Sequence, residues 1–106
     1  VPVLTEALAT ELYAEPDGTV RGVRVRRPDG TSEDLGCGAL VLACCGYGGS
    51  KVLVRKYIPD LADALYFGHP GNEGDAVLWG EQLGAALRDM TGHQGHGSVA
   101  HPQGIL

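Results

Sequence analysis

Three histidines near the end of the chain are the side chains best suited to metal or proton chemistry. His93, His96 and His101 are separated by three and five residues. The glycines between them disfavour a helix that would align the rings, and no carboxylate or thiolate side chain lies between or after them as a further ligand. We therefore predict no metal site, and keep a His-rich metal-binding domain as an alternative. Each histidine can also bind an anionic substrate near neutral pH, or be a surface or structural residue.

A cluster of glycines in the middle of the chain is a candidate ligand-binding turn. Gly46, Gly48 and Gly49 follow the apolar run 39–43 and precede a short helical pattern. In α/β proteins the backbone N–H groups of such a turn face ligands at the carboxyl end of the sheet. The cluster lacks the last glycine of the dinucleotide fingerprint G-x-G-x-x-G, and no acidic residue ends a second strand about 20 residues later. A plain strand-to-helix turn is therefore the competing interpretation.

A single carboxylate, Asp75, lies where a second helical pattern begins. Residues at this position commonly cap the helix by accepting backbone N–H bonds, so an N-cap is one interpretation of Asp75. The same carboxylate could instead accept hydrogen bonds from ligand hydroxyl groups. It could not bind a pyrophosphate directly, because two anions repel each other.

The first third of the chain carries four β-strand patterns. In the longest of them valine alternates with arginine, which predicts one packed and one solvated face. Two Pro-Asp-Gly turns, at 16–18 and 28–30, flank this strand and predict hairpins on both sides of it. The predicted strands are 1–4, 9–14, 19–27 and 31–36. The last three form an antiparallel three-stranded meander.

The rest of the chain predicts one buried strand and two helices. The apolar run 39–43 has no polar alternation, which is typical of a central strand buried on both faces of a parallel sheet. After the glycine cluster, Ser50 can cap a helix at 51–57 that Pro59 stops. Apolar residues return at helical spacing over 76–90, which predicts a second and longer helix.

Composition excludes several classes of protein. With 106 residues, 43% of them hydrophobic and 20% charged, the chain predicts one folded domain rather than a disordered segment. A formal net charge of −5 repels phosphate backbones and anionic lipid surfaces, so we expect neither nucleic acid nor a membrane as a partner. No apolar stretch approaches the roughly 20 residues that span a bilayer. Three cysteines without C-x-x-C spacing fit a reducing, cytoplasmic location.

Three short motifs follow one another in the second part of the chain. They are Leu42-Ala43-Cys44-Cys45-Gly46, then Glu73-Gly74-Asp75-Ala76, then Asp89-Met90 with Gln94 and His96. Their order after a meander resembles the flavoprotein family of fumarate reductase, succinate dehydrogenase, L-aspartate oxidase and the FAD-dependent ketosteroid dehydrogenases. In that family a buried strand ends in A-T-G-G, T-G-D-G opens a helix, and D-M-x-x-x-Q-x-H follows. The separation of 21 residues between Asp75 and His96 also fits the family.

The resemblance implies FAD as the cofactor and a small molecule as the substrate. It implies that Asp75 accepts hydrogen bonds from nucleotide hydroxyls, and that Ala43 and Gly46 line the cofactor. His96, together with Gln94, would bind a substrate carboxylate or carbonyl and hold the reacting bond against the flavin. The hydride chemistry would belong to the cofactor, with the protein supplying position and charge.

Two positions depart from the family pattern. Cys45 replaces the first glycine of A-T-G-G, so either the backbone there accepts a side chain or the nucleotide contact differs. Gly97-Ser98-Val99 follows His96 in place of P-T-G, which leaves ketones and acids other than succinate as candidate substrates. The family's G-x-G-x-x-G strand and its arginine-bearing substrate segments are missing from these residues. We therefore expect a fragment that is inactive, and does not retain FAD, in isolation.

Together these observations predict the α/β class, or α+β for the segment taken alone. We expect a partial FAD-binding domain with a strand and meander at 1–38, a buried strand of a Rossmann-like parallel sheet, a glycine turn and a helix at 39–58, and a loop, a helix and a substrate-side tail at 59–106. The predicted parent is an FAD-dependent oxidoreductase acting on a C–C bond next to a carbonyl or carboxylate. A stand-alone small-molecule-binding or structural module without redox activity is the alternative. Because the buried strand needs neighbours, we expect the chain to associate with itself.

Overall fold

The computed structural model describes residues 1–95 and residue 102. The chain divides into two compact units, which we call the sheet unit (Val1–Leu42) and the helical unit (Ala43–Leu106). Within the described residues, no helix is both long and apolar enough to cross a membrane.

The sheet unit is the predicted antiparallel meander. Its strands are β1 (Leu8–Ala14), β2 (Val20–Arg26) and β3 (Ser32–Gly36), in the spatial order β1-β2-β3. Each Pro-Asp-Gly turn places its glycine, Gly18 or Gly30, at a φ of +85°, which a residue with a Cβ adopts at a cost. In both turns the aspartate side chain accepts a 2.9 Å hydrogen bond from the backbone N–H two residues later. The turn chemistry therefore fixes both hairpins locally.

The central strand β2 carries a buried valine on one face and an arginine paired with an aspartate on the other. Val25 is only 4% exposed and pairs with Ala9 on β1 and Glu33 on β3. On the polar side, Arg24 donates to both carboxylate oxygens of Asp34, at 2.8 and 3.1 Å. The buried Val25 and the exposed Arg26 agree with the predicted alternation, whereas Gly22 on the arginine face is also buried.

The helical unit contains the two predicted helices. Helix α1 spans Lys51–Tyr57, and its N-cap Ser50 accepts a hydrogen bond from the N–H of Leu53 at 3.4 Å. Leu53 is 5% exposed. A 3₁₀ turn at Pro59–Leu61 follows, since the ring of proline fits the first turn of a helix. Helix α2 spans Asp75–Gln82.

Helix α2 ends eight residues earlier than the apolar spacing over 76–90 predicts. Gly84 adopts a φ of +78°, and its N–H donates to the carbonyl of Glu81 at 3.1 Å. The N–H of Ala85 donates to the carbonyl of Gly80 at 2.9 Å. These two bonds form a Schellman motif, which satisfies the last carbonyls of the helix and turns the chain away. The prediction of a longer helix was wrong because this local terminator outweighs the apolar period.

Two predicted strands are absent from the described residues. Residues 1–4 and 39–43 form neither helix nor strand, and Val41 is 87% exposed. A strand exists only where a neighbour supplies backbone partners, and the described sheet contains β1, β2 and β3 alone. The described residues thus form an antiparallel sheet and two helices, an α+β arrangement, and the parallel sheet is not among them.

Candidate functional site

The glycine turn at 46–50 is held against the loop that precedes α2. The N–H of Gly49 donates to the carbonyl of Asn72 at 2.9 Å, and the N–H of Ser50 donates to the carbonyl of Tyr47 at the same distance. A Cβ placed on Gly49 would lie 2.5 Å from the carbonyl oxygen of Pro70. Only glycine allows the two backbones to come this close.

Tyr47 and Gly74 form the contact at the centre of the site. Gly74 is buried, has a φ of +89° and is the N-cap of α2. A Cβ on it would overlap the Cδ1 atom of Leu53 and lie 2.8 Å from the Cβ of Tyr47. Tyr47 directly follows Gly46, and Gly74 directly precedes Asp75. The structure therefore brings together the two segments that carry the predicted cofactor residues.

The Tyr47 side chain also reaches the segment after α2. Its hydroxyl donates to the carbonyl of Met90, and its ring lies 5.6 Å from that of Tyr57, tilted by 57°. Burial raises the pKa of the Tyr47 hydroxyl, and the neighbouring Tyr57 raises it further. The hydroxyl therefore stays protonated and acts as a hydrogen-bond donor. Sequence reasoning missed this residue, and the available signal was a large aromatic side chain within a glycine turn.

Asp75 is the first residue of α2 rather than its cap. The N-cap interpretation of Asp75 was wrong, because Gly74 occupies that position in the left-handed conformation. Asp75 is half-buried, and no described residue donates a hydrogen bond to its carboxylate. An acceptor placed beside the free N–H groups of a helix start is available to a ligand that carries hydroxyl groups.

Of the other two predicted cofactor residues, Ala43 lies in the open segment before the turn and Gly46 is the first residue of the turn. Ala43 and Gly46 are both exposed, and a Cβ on Gly46 would meet no atom of the described residues within 4 Å. A ligand can thus approach this backbone directly. Between them, Cys45 has a φ of +62°, in the region that favours glycine. The residue that departs from the family pattern therefore adopts the conformation that a glycine would adopt without strain.

One of the two predicted substrate residues, Gln94, lies among the described residues. Gln94 is exposed. His96 lies outside the described residues, as does His101. The Nδ1 atom of His93 lies 3.1 Å from the carbonyl of Thr91, a local hydrogen bond. Within residues 1–95 and 102, no three His, Cys, Asp or Glu side chains come together as a metal site.

Comparison with known proteins places this arrangement in a family. A probable fumarate reductase of Shewanella frigidimarina (strain NCIMB 400) is 29% identical over 96 residues, which are 91% of this chain and 16% of that protein. A fumarate reductase (cytochrome) of Shewanella frigidimarina is 28% identical over 91% of this chain and 17% of its own length. An NADH:fumarate oxidoreductase of Klebsiella pneumoniae (strain 342) is 27% identical over the whole chain, which covers 11% of that protein.

The chain thus spans about one-sixth, or less, of the length of the curated relatives it matches. The family described as FAD binding domain matches residues 1–106, the full length of the chain. The resemblance found in the three short motifs is thereby confirmed. This chain belongs to the FAD binding domain family and is similar to a segment of the fumarate reductase flavoproteins.

Proposed function

We propose that this chain is part of an FAD-dependent oxidoreductase that adds or removes hydrogen across a C–C bond next to a carbonyl or carboxylate. The names of its relatives, fumarate reductases and an NADH:fumarate oxidoreductase, support this class of reaction. The three cysteines, none of them in a disulfide, support a cytoplasmic location.

One observation carries the proposal: the glycine turn and the start of α2 pack together through Tyr47 and Gly74. This contact holds an open backbone at Gly46 and the carboxylate of Asp75, to which no described residue donates a hydrogen bond, in neighbouring segments. Nucleotide cofactors need both features, a backbone that they can approach closely and acceptors for their hydroxyl groups. The residues present therefore fit FAD.

The residues divide into a cofactor side and a substrate side. Asp75 accepts hydrogen bonds from hydroxyl groups of the nucleotide, while Ala43 and Gly46 contact it through their backbone. When bound, FAD takes up or releases the hydride of the reaction. His96 and Gln94 bind the carbonyl or carboxylate of the substrate and fix its orientation. Residues 39–43 become a buried strand of a Rossmann-like parallel sheet once neighbouring strands cover their edges.

The isolated chain tests how much of the FAD site these residues form. We expect it not to retain FAD through gel filtration, since the G-x-G-x-x-G segment that binds the pyrophosphate in the family is not among these 106 residues. A chain that elutes yellow, with the flavin band at roughly 450 nm, would show that these 106 residues are sufficient to bind FAD.

The decisive experiment compares two variants of the flavoprotein that carries this segment. Loss of one charge-assisted hydrogen bond costs about 1.5–3 kcal/mol, so Asp75→Ala weakens FAD binding about 10- to 150-fold. His96→Ala retains FAD and raises KM for the substrate. Asp60→Ala, which removes an exposed carboxylate from the 3₁₀ turn, is the matched control and leaves both quantities unchanged. If Asp75→Ala held FAD as tightly as Asp60→Ala, Asp75 would have no role in the cofactor site.

A further inference from the structure

Two adjacent thiols lie in the open segment before the glycine turn. Cys44 and Cys45 are both exposed and free of disulfide bonds. The segment forms neither helix nor strand, and Cys45 has a φ of +62°. In a strand, adjacent side chains point to opposite faces, but this alternation does not hold where one residue is left-handed. Both thiols are thus accessible on one short, irregular stretch of backbone.

The two thiols cannot easily bond to each other. Consecutive Cα atoms are about 3.8 Å apart, whereas a disulfide needs a Cα separation of about 4.4 Å or more. A single atom inserted between the two sulfurs enlarges the ring and removes this constraint. The inserted atom must bind two thiolates at once and favour soft ligands.

We propose that Cys44 and Cys45 form a vicinal dithiol site that captures trivalent organoarsenicals of the type R–As=O. Two As–S bonds form and the As=O bond breaks. The two thiol protons leave with the oxygen as one water molecule, and no electron is transferred. This site does not depend on the proposed function, because it needs only the two thiols of the isolated chain.

The third cysteine provides a matched control within the same chain. Cys37 is half-buried and directly follows β3, where its N–H donates to the carbonyl of Arg21 at 2.9 Å. It has no adjacent thiol, so it can form only one As–S bond. A second bond to the same arsenic atom becomes intramolecular and raises the apparent affinity by about 10²–10⁴-fold.

The test treats the reduced 106-residue chain with phenylarsine oxide and measures the intact mass and the number of free thiols. We expect one adduct per chain, equal in mass to phenylarsine oxide less one water, and loss of two of the three free thiols. A dithiol such as dithiothreitol should remove the adduct, and a monothiol such as glutathione should not. Cys37→Ser should behave like the original chain.

The single-thiol variants decide between a dithiol site and ordinary thiol reactivity. Cys44→Ser and Cys45→Ser should each weaken retention of the arsenical by about 10²–10⁴-fold and make it removable by glutathione. Circular dichroism checks that each variant is folded. The proposal is wrong if either single variant retains the adduct as the original chain does, if Cys37→Ser loses it, or if no adduct forms.

Discussion

Because Gly74 packs against Tyr47 and Leu53, Gly74→Ala should lower the free energy of unfolding. The added methyl group carries two separate costs. The backbone has a φ of +89°, where a Cβ costs roughly 1–2 kcal/mol. The Cβ would also overlap Leu53 and crowd Tyr47, and overpacking of this kind costs about 1–3 kcal/mol. Together these two costs should lower the free energy of unfolding by about 3 kcal/mol.

Gly84→Ala separates the two costs. Gly84 has a similar φ of +78°, but a Cβ on it would have no neighbour within 4 Å in the part of the chain that the structure describes. It therefore carries the backbone cost alone, about 1 kcal/mol. The difference of about 2 kcal/mol between the two variants is the steric cost. With a urea m-value of about 1 kcal/mol/M, their unfolding midpoints should differ by about 2 M.

The assay is urea unfolding followed by the fluorescence of Trp79, the single tryptophan, which lies in α2. Far-UV circular dichroism confirms that each variant is folded without urea. A folding unit of about 60 residues has roughly 3–9 kcal/mol of stability in total, so Gly74→Ala removes a large part of it. Equal midpoints for the two variants would refute the reasoning, since Gly74 would then not be packed against Tyr47 and Leu53.

Three further predictions concern other parts of the chain. Cys45→Gly should raise the free energy of unfolding by about 1 kcal/mol, because glycine adopts the left-handed conformation of this residue without strain. Cys44→Gly should lower the free energy of unfolding by roughly 0.5–1 kcal/mol. Thermal melts compare the two variants, and a melting temperature of Cys45→Gly below that of the original chain would contradict the argument. Hydrogen bonds from Arg24 lower the pKa of the Asp34 carboxyl below its ordinary value of 3.8. The ionised carboxylate therefore stabilises the sheet unit above pH 3.8, and this stabilisation is lost as the pH falls below 3.8 and through the lowered pKa. Asp34→Asn should flatten this acid limb of the urea midpoint and Asp60→Asn should not; equal slopes would contradict it. Finally, the exposed apolar run 39–43 should make the chain self-associate, so light scattering should give about twice 11.1 kDa, and a mass of 11.1 kDa at all concentrations would exclude a dimer.

Local chemistry explains which elements were predictable from sequence. Each Pro-Asp-Gly turn contains its own hydrogen bonds and the glycine that its φ requires. The meander could therefore be predicted from these turns. Ser50 caps α1 through a bond within one helical turn. Residues 39–43 were not predictable in the same way, because a buried strand depends on neighbours that the local pattern does not specify. These residues are apolar and would be stabilised by burial, but no described strand pairs with them.

The candidate site was predictable in its segments but not in its contacts. The positions of Gly46 and Asp75 came from motif order, and the structure brings their segments together. The contact that joins them, between Tyr47 and Gly74, is a tertiary one and carries no sequence period. The N-cap interpretation placed the cap of α2 one residue too late, at Asp75 instead of Gly74. Asp and Gly are both common N-cap residues, and only the φ angle, which the sequence does not contain, distinguishes between them. Gly84 ended α2 early for a similar reason, since a single backbone conformation decided the boundary.

The two tight turns of the sheet unit also have a consequence for the order of folding. All the pairings of β1 with β2 and of β2 with β3 join residues close in sequence, so the loop that must close before each hairpin forms is short. Isolated hairpins of this kind form in about 1–10 μs. The contacts of Tyr47 in the helical unit instead span up to 43 residues, as in its bond to Met90, and must wait for a longer loop to close. We expect the strand signal in circular dichroism to appear before the change in Trp79 fluorescence during refolding.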